Sequence, residues 1–199
     1  MNRTITMLSL LPILALASAC AHLDEPAKAD AATQAVAGST ARVGAVRVLS
    51  RRVNLREPLR VDVEGADVTV AFGVGPRAGV TMALDPRSLA PHHVAPYDHP
   101  SRAARAEPPY MPLVPVRVGL EGGGSVACWN DGEASRLMVQ VYDESGASRG
   151  EPMAVSVPGL DVFGAPRAAT VDGRHVVVAF FASDAEGFSL VATTMEVPL

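Results

Sequence analysis

Lysine is nearly missing from this 199-residue chain: Lys28 is the only one, and every other basic residue is arginine. Arginine forks suit phosphate. The sequence nevertheless has no basic run, no basic helix and no basic patch interleaved with aromatics, so nucleic acid is not an expected partner. The arginine bias is what coding in a GC-rich genome produces. Aromatic residues make up only 5% of the chain, and cysteine occurs twice, at Cys20 and Cys128. Catalytic signatures are also lacking. There is no G-x-S-x-G, no H-E-x-x-H, no P-loop and no dinucleotide fingerprint. Gly122-Gly123-Gly124-Ser125 falls in a hairpin turn with no helix expected after it, so it does not read as a phosphate loop. No cofactor is expected.

The composition is that of a globular chain, with 48% hydrophobic and 19% charged residues. At this length a single body is the first expectation. Charge divides along the chain. Ala41 to Arg117 holds eleven Arg against seven acids, and Val118 to Leu199 holds four Arg against eleven acids.

The N-terminus has the layout of an export signal. Arg3 precedes an apolar stretch from Ile5 to Leu16. That stretch is short of the roughly 20 apolar residues that span a bilayer, and it fits a secretory leader. The stretch closes on Leu16-Ala17-Ser18-Ala19-Cys20. These residues resemble the lipobox of bacterial lipoproteins, although Leu usually stands one position closer to Cys. The resemblance implies removal of residues 1–19 and a lipid on Cys20. With Ala21, and not Asp, in the next position, it also implies the outer membrane. Ala17-Ser18-Ala19 would serve ordinary leader cleavage as well. In that case Cys20 would be a free thiol able to pair with Cys128. Residues 20–40 are alanine-rich and polar, and read as a tether. About 20 flexible residues reach on the order of 25 Å.

The body repeats itself. Pro58 to Gly65, Pro115 to Gly122 and Pro166 to Gly173 each read P-x4-[VL]-[DE]-G, and seven residues after each Gly stands Phe72, Trp129 or Phe180. Around each [DE]-G pair the apolar residues alternate, as in Val61, Val63, Val68, Val70 and Phe72. A period of two marks half-buried strands, and Gly supplies the turn between them. A third and a fourth apolar run follow, so each unit reads as a four-stranded antiparallel meander. The third unit ends before its fourth strand. Arg42 to Leu49 is an orphan strand at the other end and is expected to complete it.

The expected fold is all-β. The units resemble propeller blades of exported bacterial proteins, which implies a propeller-like or three-sheet prism-like assembly with a sandwich as the alternative. Three blades is few for a closed ring, so a six-bladed ring made by a homodimer also stays open. The repeats place Phe72, Trp129 and Phe180 between sheets, and Cys128 beside them as a small buried thiol.

One segment stands out. Pro86 to Pro115 carries eight of the sixteen prolines and three of the five histidines. An insertion is expected near residues 96–109. His92, His99 and Asp98 are the candidate metal ligands, since imidazole and carboxylate suit zinc. His92 and His93 are adjacent and face opposite ways on a strand, so at most one of them joins His99. The functional expectation is a non-enzymatic envelope module that binds a protein or glycan partner. The alternatives are a metal-dependent hydrolase using the histidine-rich insertion and a structural lipoprotein that only oligomerises.

Overall fold

The computed structural model describes residues 41–98 and 115–198. They form twelve strands: β1 (Arg42–Ser50), β2 (Arg60–Glu64), β3 (Asp67–Gly73), β4 (Ala78–Leu84), β5 (Pro91–Asp98), β6 (Val116–Gly119), β7 (Ser125–Asp131), β8 (Arg136–Tyr142), β9 (Met153–Val155), β10 (Asp161–Thr170), β11 (His175–Asp184) and β12 (Gly187–Glu196). The strands build three separate four-stranded sheets. The first is β2-β3-β4-β5 and the second is β6-β7-β8-β9. The third is β10-β11-β12 with β1 added beyond β12. All pairs are antiparallel, and Arg42 sits opposite Glu196. The orphan N-terminal strand therefore completes the last unit, as its sequence position requires.

Each repeat Gly does what the [DE]-G pattern demands. Gly65, Gly122 and Gly173 have φ of 66°, 87° and 70°, a region open to glycine and costly for other residues. The acids that close the third runs are turn formers too. Asp85 Oδ1 accepts hydrogen bonds from the Arg87 and Ser88 amides and the Ser88 hydroxyl. Asp143 Oδ1 accepts from the Ser145 amide and hydroxyl and from the Ala147 amide. Both carboxyls are held below the usual range. For Asp85 the Ser88 amide is the main cause, and for Asp143 the Ser145 hydroxyl.

Packing places the third sheet in the middle. On β11, Val176, Val178, Phe180 and Ala182 join a core shared with the second sheet, which contributes Val126, Cys128, Leu137, Val139 and Val141. Val177, Ala179 and Phe181 point the other way. They join a core shared with the first sheet, where Val68, Val70, Phe72, Met82 and Leu84 meet them. A strand covered on both faces needs apolar residues at every position, which is why β11 reads His-Val-Val-Val-Ala-Phe-Phe. The flanking sheets bury one face each. The first and second sheets share no core cluster among the described residues, so the three sheets do not close into a ring. The edge strand β10, at the opposite edge from β1, joins the layers, lying against β2 of the first sheet and against β6, β7 and β8 of the second.

Two details differ from the expectations. The fourth strand of the first unit runs on through Pro96 and Tyr97 to Asp98. Residues 96–98 are therefore strand, and the remainder of the expected insertion lies outside the described residues, as do His99 and residues 1–40. The ring of Tyr97 lies over Gly79, where a Cβ would collide with it. The second difference concerns the repeat aromatics. Phe72 and Phe180 are fully buried. Trp129 is only half-buried and belongs to neither core. Its neighbour Cys128 takes the inward slot instead.

Candidate functional site

Of the metal candidates, the described residues include His92 and Asp98. They occupy opposite ends of β5, six residues apart. At roughly 3.3 Å per residue that is about 20 Å, too far for one ion. His92 Nε2 instead lies 2.9 Å from Asp67 Oδ2 at the start of β3, across the intervening β4, and both side chains are exposed. Among the described residues no group of three or more His, Cys, Asp or Glu side chains could hold a metal ion.

Cys128 is fully buried in the core between the second and third sheets. Burial pushes its thiol up to about 12. Thiolate is the reactive form, so this sulfur is inert in the folded protein. Native protein should resist maleimide at Cys128 and react only after denaturation. Stoichiometric labelling of the native thiol would contradict the packing described here.

The solvent-facing side of the second sheet is chemically richer. On β7, Cys128 points inward, so Trp129 lies on the outer face. Trp129 stands opposite Met138 on β8. On the same face, the Arg117 guanidinium carbon sits 4.4 Å from the centroid of the Tyr142 ring. At that distance the cation and the ring attract. An indole, a thioether and a stacked guanidinium therefore share one sheet face. Periodicity alone hides this group, because the repeat assigns Trp129 to the interior.

A second cluster joins two sheets at their hairpin turns. The Glu121 amide donates to the Gly173 carbonyl at 3.0 Å, and Arg174 Nε lies 3.2 Å from Glu121 Oε2. Asp172 organises the turn. Its Oδ1 accepts from the Arg174 and His175 amides, and its Oδ2 lies 2.6 Å from His175 Nδ1. Burial by itself would raise the Asp172 carboxyl. The His175 and Arg174 amides and the His175 ring outweigh it and hold the group at about 2. A carboxylate depressed in the folded state adds stability above its ordinary range, and that stability is lost as pH falls through the folded value. Stability should therefore drop between about pH 4 and about pH 2. Asp172→Asn should flatten that limb in urea titrations across the same window. An unchanged acid limb would remove Asp172 from the account.

The fold and these sites define an all-β protein of three repeated four-stranded meanders, with its last unit closed by its first strand. No family model, no curated protein and no solved structure matches the chain.

Proposed function

We propose that the protein is a non-enzymatic lipoprotein of the bacterial cell envelope. In this reading residues 1–19 are a signal peptide, and Cys20 carries the lipid that holds the chain at the outer membrane. Residues 20–40 tether a body that binds a protein or glycan partner. The supporting observation is the burial of Cys128. With that thiol sealed in the core, Cys20 has no cysteine to pair with, and acylation is its most economical fate. The outward face of the second sheet supports the binding role, because Trp129, Tyr142 and Arg117 are the residue types that carry energy at interfaces.

The test has two arms. Intact mass of the membrane-extracted protein should show a mature N-terminus at Cys20 bearing acyl chains. A mature N-terminus without them would overturn the anchor. Pull-down of the acylated protein from its native membrane should recover a partner that Trp129→Ala loses. Equal recovery by that variant would move the binding site off this face. A light-scattering mass equal to one chain would dispose of the homodimer.

A further inference from the structure

We propose that the arginine-rich edge of the third sheet, made by β1 and the loop after it, rests on the anionic headgroups of the bilayer that anchors the chain. The inference builds on the proposed lipid at Cys20. From Ala41 to Arg56 the chain has sixteen residues with five Arg and no acid. The described residues 115–198 are the reverse, with five Arg against eleven acids. The positive charge is thus concentrated where the body begins, directly after the expected tether.

β1 carries Arg42 at its start and Arg47 within it, and Arg51, Arg52 and Arg56 follow where the chain leaves for the first sheet, with Asn54 bridging Gly73. β1 is the outermost strand of its sheet. Arg42, Arg51, Arg52 and Arg56 are exposed. Arg47 is half-buried, and its Nη1 donates to the Leu89 carbonyl at 3.2 Å. Among the described residues no carboxylate forms an ion pair with any of the five. The acids nearest in chain and register are Glu196 opposite Arg42, Asp184 and Glu186 at the β11–β12 turn just past the Ser50–Leu190 pair, Asp85 in the turn that carries Leu89, and Glu57 after Arg56. The Ser88 amide and hydroxyl already engage Asp85. Arg87 shares the Asp85 turn, so six arginines stand against these five acids, and Asp184 Oδ1 is engaged by the Glu186 and Gly187 amides.

Position favours lipid over an acidic protein as the occupant. A tether of about 20 residues holds the start of β1 within on the order of 25 Å of the bilayer. Attraction to an anionic leaflet acts over roughly a Debye length, about 8 Å in physiological salt. Arginine forks match the phosphate oxygens of the headgroups. The acidic remainder is repelled by the same surface, so the body is oriented as well as held. The basic edge lies down, and the outer face of the second sheet is free to meet a partner.

The experiment uses the mature chain from Ala21, which has neither leader nor acylated cysteine, in sedimentation with vesicles. It should bind vesicles containing phosphatidylglycerol, ignore pure phosphatidylcholine and release in high salt. Each arginine near the surface is worth about fivefold in affinity, so R51Q/R52Q/R56Q should bind on the order of 100-fold more weakly. Lysine at the same three positions should retain binding. Arg136→Gln, the same change on the second sheet, should leave it intact. Equal binding to both vesicle types would overturn the proposal, and so would a triple variant that binds like the parent. Capture by native membranes that protease treatment abolishes, with no binding to vesicles, would assign the edge to an acidic protein and reject lipid. Because this chain lacks Cys20, failure here leaves the acyl anchor standing; intact mass decides that separately.

Discussion

Gly173→Ala should destabilise the protein by about 2–3 kcal/mol, seen as a lower urea midpoint. Two effects combine. Gly173 has φ of 70°, and a side chain in that region costs about 1–2 kcal/mol. A Cβ there would also lie 2.5 Å from the Glu121 backbone nitrogen. That nitrogen donates to the Gly173 carbonyl, so relieving the clash breaks the hydrogen bond joining the second and third sheets. A bond of that kind contributes about 1 kcal/mol. Gly65 is the natural control. Its φ is 66°, and nothing lies within 4 Å of a Cβ placed on it. Gly65→Ala should cost only the conformational part, about 1–2 kcal/mol. Equal losses at the two glycines would show that the contact between the turns contributes nothing.

Phe180→Ala should cost about 3–5 kcal/mol, the usual range for removing a buried aromatic and leaving a cavity. Phe180 is fully buried between the second and third sheets. Domains of this size are stable by about 5–15 kcal/mol in total, so the variant should melt far lower and expose its core to dye. Trp129→Ala stands at the equivalent repeat position and should cost only about 1 kcal/mol, because its indole lies outside both cores. Calorimetry on the two variants reads the difference directly. A loss at Trp129 matching that at Phe180 would mean that the outer face of the second sheet is packed after all.

That contrast marks where the sequence stops being readable. The strands, the turns and the joining of β1 to β12 all follow from period-two patterning, the [DE]-G pairs and an orphan strand at one end. The face of Trp129 does not. In the first unit Glu64 pairs with Asp67 across a two-residue turn, whereas in the second Gly119 pairs with Ser125 across five residues. An odd turn after an even one reverses the parity of the following strand. Counting seven from the glycine then lands on the opposite face. In the third unit Thr170 pairs with Val176, again across five residues. There the shift carries no penalty, because both faces of β11 are buried.

The layering was equally hidden. Strand patterning shows that Val176 to Phe181 is apolar throughout, but not which unit covers which side. The candidate sites divide the same way. Cys128 was legible as a small buried thiol from its neighbours Ala127 and Trp129. The Arg117 and Tyr142 pair was not, since it depends on two strands twenty-five residues apart meeting through β7.

The joining of β1 to β12 has a consequence for how such a chain matures. The Ala45 amide bonds the Thr194 hydroxyl across 149 residues of sequence. A polypeptide made from its N-terminus delivers β1 first and β12 last. The first strand must therefore wait, unpaired and largely apolar, until nearly the whole body has emerged. Contacts this distant in sequence make folding slow, and an unpaired strand waiting that long is open to wrong partners. The chain thus has a built-in dependence on whatever guards its first strand until synthesis is nearly complete, and truncation of even the last strand would leave the first one stranded.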